Sequence, residues 1–151
     1  MAKTSYIPKG YTAVSPALAF KGAAAAITWY KNIFGAKEKM RFDNPDKTIG
    51  HAEITIGDSL VYLADENLQY NQSPKTLGGN SVNLCIYVPD VDAVIKKAVD
   101  NGAKLIMPVA DQFYGDRSGR IEDPFGYIWV ISTHVKDVSE EEMHRKMEEM
   151  A

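Results

Sequence analysis

At 151 residues, 45% apolar and 25% charged, the chain is sized and composed as one globular domain over residues 1–151, with enough apolar sequence for a core and no default to disorder. A net charge of −3, with no Lys/Arg cluster longer than a pair, excludes non-specific attraction to nucleic acid. No run is apolar enough to span a bilayer, MAKTSYIPKG lacks the apolar middle of a signal peptide, and the single Cys85 allows no internal disulfide, so the expectation is a reducing, cytoplasmic setting.

Residues 1–11 read as a loose arm punctuated by Pro8 and Gly10. Residues 14–20 (VSPALAF) read as a strand that Pro16 holds to an edge. Lys21-Gly22 turns the chain into a helix over 23–34, where Ala23, Ala26, Ile27, Tyr30 and Phe34 share one face. Trp29 and Tyr30 belong to the core at this spacing. Gly35 supplies the left-handed residue that ends the helix. Then come a strand over 37–42, a turn at Asn44-Pro45-Asp46, and an alternating strand over 51–56 (HAEITI). A turn at Gly57-Asp58 and a short apolar strand over 60–64 complete a module over residues 12–66. Residues 67–80 are rich in Asn, Gln, Ser, Gly and Pro without a period, and read as a linker or a mobile lid.

The pattern then repeats over 81–135. Residues 82–88 (VNLCIYV) form a strand, and Asp90 caps a helix whose face is Val91, Val94, Ile95, Ala98 and Val99. Gly102 closes that helix as Gly35 closes the first, and Gly35-Ala36-Lys37 recurs as Gly102-Ala103-Lys104. A strand over 104–109 follows, then a loop from Asp111 and a hairpin. Residues 119–122 lead into the hairpin's turn, Asp123-Pro124-Phe125-Gly126, and the aromatic and β-branched run 127–133 leads out. One strand-helix-strand-strand-strand module therefore occurs twice. A tail helix over 138–150 carries a capping box at Ser139 and Glu142 and a stripe of Met143, Met147 and Met150, suited to packing on its own domain or a second subunit.

The residues that bear chemistry are few. His51-x-Glu53 puts an imidazole and a carboxylate on one strand face, a general-base pair or two thirds of a metal triad with His134 as third ligand. His134 also reads as a hydrogen-bonded residue ahead of the tail. Phe113 and Tyr114 beside Asp116 and Arg117 either orient a small organic ligand or cover the core, with Arg117 pairing to Asp116 or Asp111. Cys85, between Leu84 and Ile86, is expected to be a buried, inert thiol. No phosphate loop, nucleophile elbow or zincin motif occurs in the sequence.

Taken together, Tyr30 with Phe34-Gly35-Ala36, His51-Ala52-Glu53, Asp58-Ser59, Val91-Asp92-Ala93, Gly115-Asp116-Arg117, Gly119-Arg120, the Asp123-Pro124-Phe125-Gly126 turn, Trp129 and Thr133-His134 resemble the vicinal-oxygen-chelate superfamily. That superfamily holds glyoxalase I, bleomycin-resistance proteins and extradiol dioxygenases, and the chain looks most like its PhnB-like group. The resemblance implies an α+β fold of two βαβββ modules curving into one eight-stranded cup, plus the C-terminal helix, in a homodimer. It also implies four metal-ligand positions, which fall at Ser15, Tyr62, Asn83 and Val130. Those residue types cannot make a His/carboxylate shell, so no metal or other cofactor is expected.

Two functions follow as expectations. The first is a binding protein whose cup takes an aromatic or hydrophobic small molecule against Ser15, Tyr62, Asn83, Tyr87, Phe113, Tyr114, Arg117 and Val130, with no nucleic-acid or membrane partner. The alternative is a lyase, isomerase or dioxygenase-like enzyme of the same superfamily that works through His51 and Glu53, with His134.

Overall fold

The computed structural model describes residues 3–151, and the first two residues of the N-terminal arm lie outside them. The described chain gathers into two compact units that divide between Gly78 and Gly79. The first carries β1 (Ala17–Phe20), α1 (Ala23–Phe34), β2 (Lys37–Asp43), β3 (Ile49–Ile56), β4 (Ser59–Asp65) and α2 (Pro74–Leu77). The second carries β5 (Asn83–Tyr87), α3 (Val91–Asp100), β6 (Lys104–Asp111), β7 (Asp116–Glu122), β8 (Ile128–His134) and α4 (Glu140–Met150).

Each unit is an α+β module with one four-stranded sheet, in the order β1-β4-β3-β2 and β5-β8-β7-β6. The first strand pairs parallel to the last, and the other neighbours are antiparallel. The same local rules act twice. In the first unit α1 lays Ala23, Ala26, Ile27, Tyr30 and Ile33 against Leu18, Phe20, Ala52, Ile54 and Leu63, all buried. Tyr30 is fully buried, edge-on to Phe20 with ring centroids 6.0 Å apart. Burying each of the Leu, Ile and Phe side chains contributes about 1.5–3 kcal/mol relative to exposure. In the second unit Val91, Ile95 and Ala98 of α3 face Ile121, Trp129 and Ile131. Gly119 lets α3 pack closely there, because a Cβ at that site would stand 2.5 Å from Ile95 Cδ1 and would force that side chain to move.

The last strand of each module secures the helix start. Gly22 offers α1 no side-chain cap, so Asp65 at the end of β4 accepts from the Gly22 and Ala23 amides at 2.9 and 3.0 Å, and from Ile49 at 2.7 Å. On β8, Thr133 Oγ1 accepts from the Val91 amide at 2.9 Å and donates to Val88 O at 2.7 Å. Such bonds satisfy the orphan donors of a helix N-terminus.

The structure differs from the sequence expectations at several places, among them the hairpin strand expected from 119, which begins at Asp116. The strand expected over 14–20 starts only at Ala17, since Pro16 has no amide to donate to the ladder. The strand expected over 104–109 runs on through Pro108 to Asp111, because β6 is a sheet edge, where a proline and the register shift after Met107 are tolerated. The stretch 67–80 is structured by caps, with Ser73 and Pro74 buried. Glu66 accepts from Ser73 N and Thr76 Oγ1, and Ser73 caps α2. Cys85 is exposed, because on edge strand β5 it points away from α3, on the same side as Asn83 and Tyr87.

The tail helix forms as expected, with Ser139 accepting from the Glu142 amide at 3.1 Å. No residue of α4 is buried, and Met147 and Met150 are exposed. No helix among the described residues is long and apolar enough to cross a membrane.

Candidate functional site

Alternation along β3 sends Ala52 and Ile54 to the helix side and presents His51, Glu53 and Thr55 on the opposite face. Glu53 pairs across to Tyr62 on β4 and Met40 on β2. Onto this face comes Tyr11 from the N-terminal arm, whose amide donates to Pro8 O at 3.1 Å. Lys39 Nζ lies 3.7 Å from the Tyr11 ring centroid, a cation–π contact. The arm expected to be loose is thus tied down at Tyr11.

Glu53 is the centre of the cluster. It is 5% exposed, accepts from the Tyr11 hydroxyl at 2.6 Å on Oε1, and meets His51 Nε2 at 2.8 Å on Oε2. Burial pushes its pKa up, but the Tyr11 and His51 hydrogen bonds outweigh it, and the carboxyl titrates below its usual value. Glu53 is therefore a carboxylate at neutral pH, and His51 Nε2 must be the donor between them. The same bond raises the Tyr11 phenol from 10.0 to about 12, so Tyr11 remains a protonated donor. His51 Nδ1 makes no hydrogen bond among the described residues and sits on a ring whose side chain is 41% exposed. A carboxylate that orients an imidazole and leaves its other nitrogen free is the arrangement of a general base.

Tyr62 stands beside this pair, its ring centroid 5.3 Å from that of His51. Two hollows of the first unit meet at Tyr62. One, of about 500 Å³, is lined by His51, Tyr62, Tyr70, Asn44, Asp65 and Asn71, among others. The other, of about 470 Å³, runs along Tyr6, Ile7, Pro8, Tyr11 and Tyr62. Ser15 is half-buried just before β1, and its buried Oγ has no partner among the described residues.

The other expected residues lie in the second unit. Tyr87 donates to Asp116 Oδ2 at 2.7 Å, and Asp116 is buried. His134 bonds Asp116 through Nδ1 at 2.8 Å and Asp137 through Nε2 at 2.7 Å. The bonds to Asp137 and then Asp116 raise the imidazole pKa. Both ring nitrogens are engaged, which leaves His134 none with which to complete a triad for His51 and Glu53. Arg117 is held by Asp92 at 2.8 and 3.0 Å and by Asp111 at 3.2 Å. Phe113 and Tyr114 pack edge to face at 5.2 Å. Asn83 is exposed on β5, and Val130 lines a small hollow with Tyr114 and Arg120.

The positions where metal ligands were expected hold Ser15, Tyr62, Asn83 and Val130, of which Val130 has no donor atom in its side chain. This set does not fit a divalent transition metal. Among the described residues no group of three or more His, Cys, Asp or Glu comes together to hold one. Tyr11 and Asp137 escaped the sequence reading, and Asp116, expected to pair with Arg117, instead partners Tyr87 and His134. The signals for the first two were a polar, aromatic arm and an acid three residues after His134.

Residues 13–131 match the family described as the Glyoxalase/Bleomycin resistance protein/Dioxygenase superfamily. An uncharacterised protein of Mycobacterium bovis is 36% identical over 139 residues, covering 89% of this chain and 91% of its own. A PhnB protein from Bacillus cereus superposes with a TM-score of 0.65 at 17% identity, over 81% of this chain and 99% of its own. The fosfomycin resistance protein FosX of Listeria monocytogenes, complexed with Mn(II) and sulfate, gives 0.63 at 16% identity, over 89% and 97%. At such identities the two structures show a shared fold.

Proposed function

Because this chain belongs to the glyoxalase/bleomycin resistance protein/dioxygenase superfamily, we propose that it binds an aromatic or hydrophobic small molecule on the Tyr62 face of its first unit, without a metal ion. The observation that carries this reading is Tyr62 itself, a half-buried ring where hollows of about 500 and 470 Å³ meet. Ligand pockets for small organic molecules span about 300–1,000 Å³ and combine apolar walls with a few placed polar groups. Tyr6, Ile7, Pro8 and Tyr70 supply the walls, and His51 and the Tyr11–Glu53 pair supply the polar groups. Cytoplasmic location and assembly as a homodimer belong to the same reading. Exposed Leu105, Ile106 and Met107 on β6 support the dimer.

A second reading is favoured by one specific contact, the 2.8 Å bond that fixes His51 Nε2 on Glu53 and leaves Nδ1 open. In that reading the same face performs metal-independent proton transfer, of the lyase or isomerase type. His51 takes a proton at Nδ1, and Glu53 holds the imidazolium that results.

Thermal melting with a panel of flat aromatic compounds tests the binding reading. A ligand at about one hundred times its Kd stabilises the native state by about 2.7 kcal/mol, a rise of about 5–10 °C for a domain of this size. The rise is expected in the parent and lost in Tyr62→Ala. Equal responses in the two proteins would refute the placement of the ligand at Tyr62.

A further inference from the structure

We infer that the hollow at Arg120 in the second unit recognises the anionic head of a small organic molecule, a carboxylate or a phosphate-like oxyanion. Alternation along β7 sends Gly119 and Ile121 toward α3 and leaves Ser118 and Arg120 on the opposite face. Arg120 pairs there with Val130 on β8 and Met107 on β6. Its Nε is buried and has no hydrogen-bond partner among the described residues. The contrast with the other arginines is sharp. Arg41 pairs with Asp43, Arg117 with Asp92 and Asp111, and Arg145 with Glu142, whereas the Arg120 side chain meets no carboxylate among the described residues.

A buried donor without an acceptor is costly, and native proteins keep such groups where a ligand or another function requires them. The hollow is lined by Met107, Gln112, Tyr114, Ser118, Arg120 and Val130, so no acid competes for the guanidinium. Its volume of about 90 Å³ suits the head of a ligand and not a drug-sized body. Ser118 accepts from Ser132 at 3.0 Å and keeps its own proton to donate. Tyr114 and Gln112 line the same hollow, and Gln112 Nε2 donates one of its two protons to Ala110 O at 3.4 Å. A guanidinium fork with hydroxyl and amide donors around it matches the oxygens of a carboxylate or phosphate. The inference concerns the second unit, and the Tyr62 reading can fail without it.

The test uses the full chain with sodium phosphate and sodium benzoate as probes, against sodium chloride at equal ionic strength. The Arg120 Nε–H resonance is followed by NMR, and probe affinity is compared between the parent and Arg120→Gln. The expected result is a saturable shift of the Arg120 signal with at least one probe, and about a tenfold loss of its affinity in Arg120→Gln, the size of one charged hydrogen bond. A stronger response to benzoate identifies the head as a carboxylate, and a stronger one to phosphate as a tetrahedral oxyanion. If Arg120→Gln does not fold, the resonance of the parent decides alone. An Arg120 signal indifferent to both probes, or a folded variant binding them within about twofold of the parent, would overturn the assignment.

Discussion

Glu53 and Arg120 hold corresponding places in the two modules. Glu53 on β3 pairs with Met40 on β2 and Tyr62 on β4, and Arg120 on β7 pairs with Met107 on β6 and Val130 on β8. Duplication preserved the methionine on the outer strand and the ladder register, while the central residue became an acid in one half and a base in the other. The acid is satisfied within its own module by Tyr11 and His51. The base has no such partner among the described residues. The side chains of this row differ in charge between the modules, while the helix-facing residues are apolar in both.

Replacing Glu53 tests whether it organises its face. Glu53→Gln keeps the size but serves only one of its two partners well, so stability is expected to fall by about 1–2 kcal/mol in chemical denaturation. The Tyr11 phenol is expected to return from about 12 toward 10.0, read from phenolate absorbance during alkaline titration. The sign is fixed by the raised value: the stability from this bond is complete below 10.0 and lost as pH rises through about 12. A Tyr11 midpoint unmoved by the substitution would show that Glu53 does not set it.

His134 carries a pH dependence of its own. Asp137 and Asp116 raise its folded pKa above the ordinary 6.5, so the stability it adds is complete below 6.5 and lost as pH rises through the folded value. An NMR titration is expected to place the His134 midpoint above 6.5. A midpoint at or below 6.5 would mean that the Asp116 and Asp137 contacts are not formed in solution.

Asp123 holds the hairpin between β7 and β8. Its carboxylate accepts from the Phe125 and Tyr127 amides at 2.9 and 3.0 Å and from Trp129 Nε1 at 2.9 Å, and the residue is 2% exposed. Asp123→Ala strands these donors and is expected to cost about 3–5 kcal/mol, while Asp123→Asn, which keeps one acceptor oxygen, costs less. Denaturant melts of the two variants check the order. A loss below about 1 kcal/mol in Asp123→Ala would show that water replaces the carboxylate.

The elements that the sequence made legible are those written in local code. Helix α1 spans residues 23–34 as the spacing of Ala23, Ala26, Ile27 and Tyr30 requires, and Gly35 ends it at φ 67°. The duplication was visible because both helices close on Gly-Ala-Lys. Long-range and edge effects were not legible. Cys85 lies in a continuous apolar run that reads as buried on both faces, yet its strand alternates between half-buried and exposed, and Cys85 falls on the face away from α3. Helix α2 is short and polar, so its caps carry it without any period. Of the candidate site, the His51–Glu53 pair could be read from strand alternation. Tyr11 could not, because side-chain atoms alone join it to a residue 42 positions away. For Arg117, pairing to Asp111 was foreseeable, but Asp92 on α3 entered only through the packing of the helix on its sheet.

The metal content of protein purified without chelator bears on everything proposed for the first unit. With Ser15, Tyr62, Asn83 and Val130 where ligands would stand, elemental analysis is expected to find Zn, Ni, Fe and Mn far below one ion per chain, unchanged in His51→Ala. A full equivalent of one such ion, lost in His51→Ala, would contradict a site that works without metal.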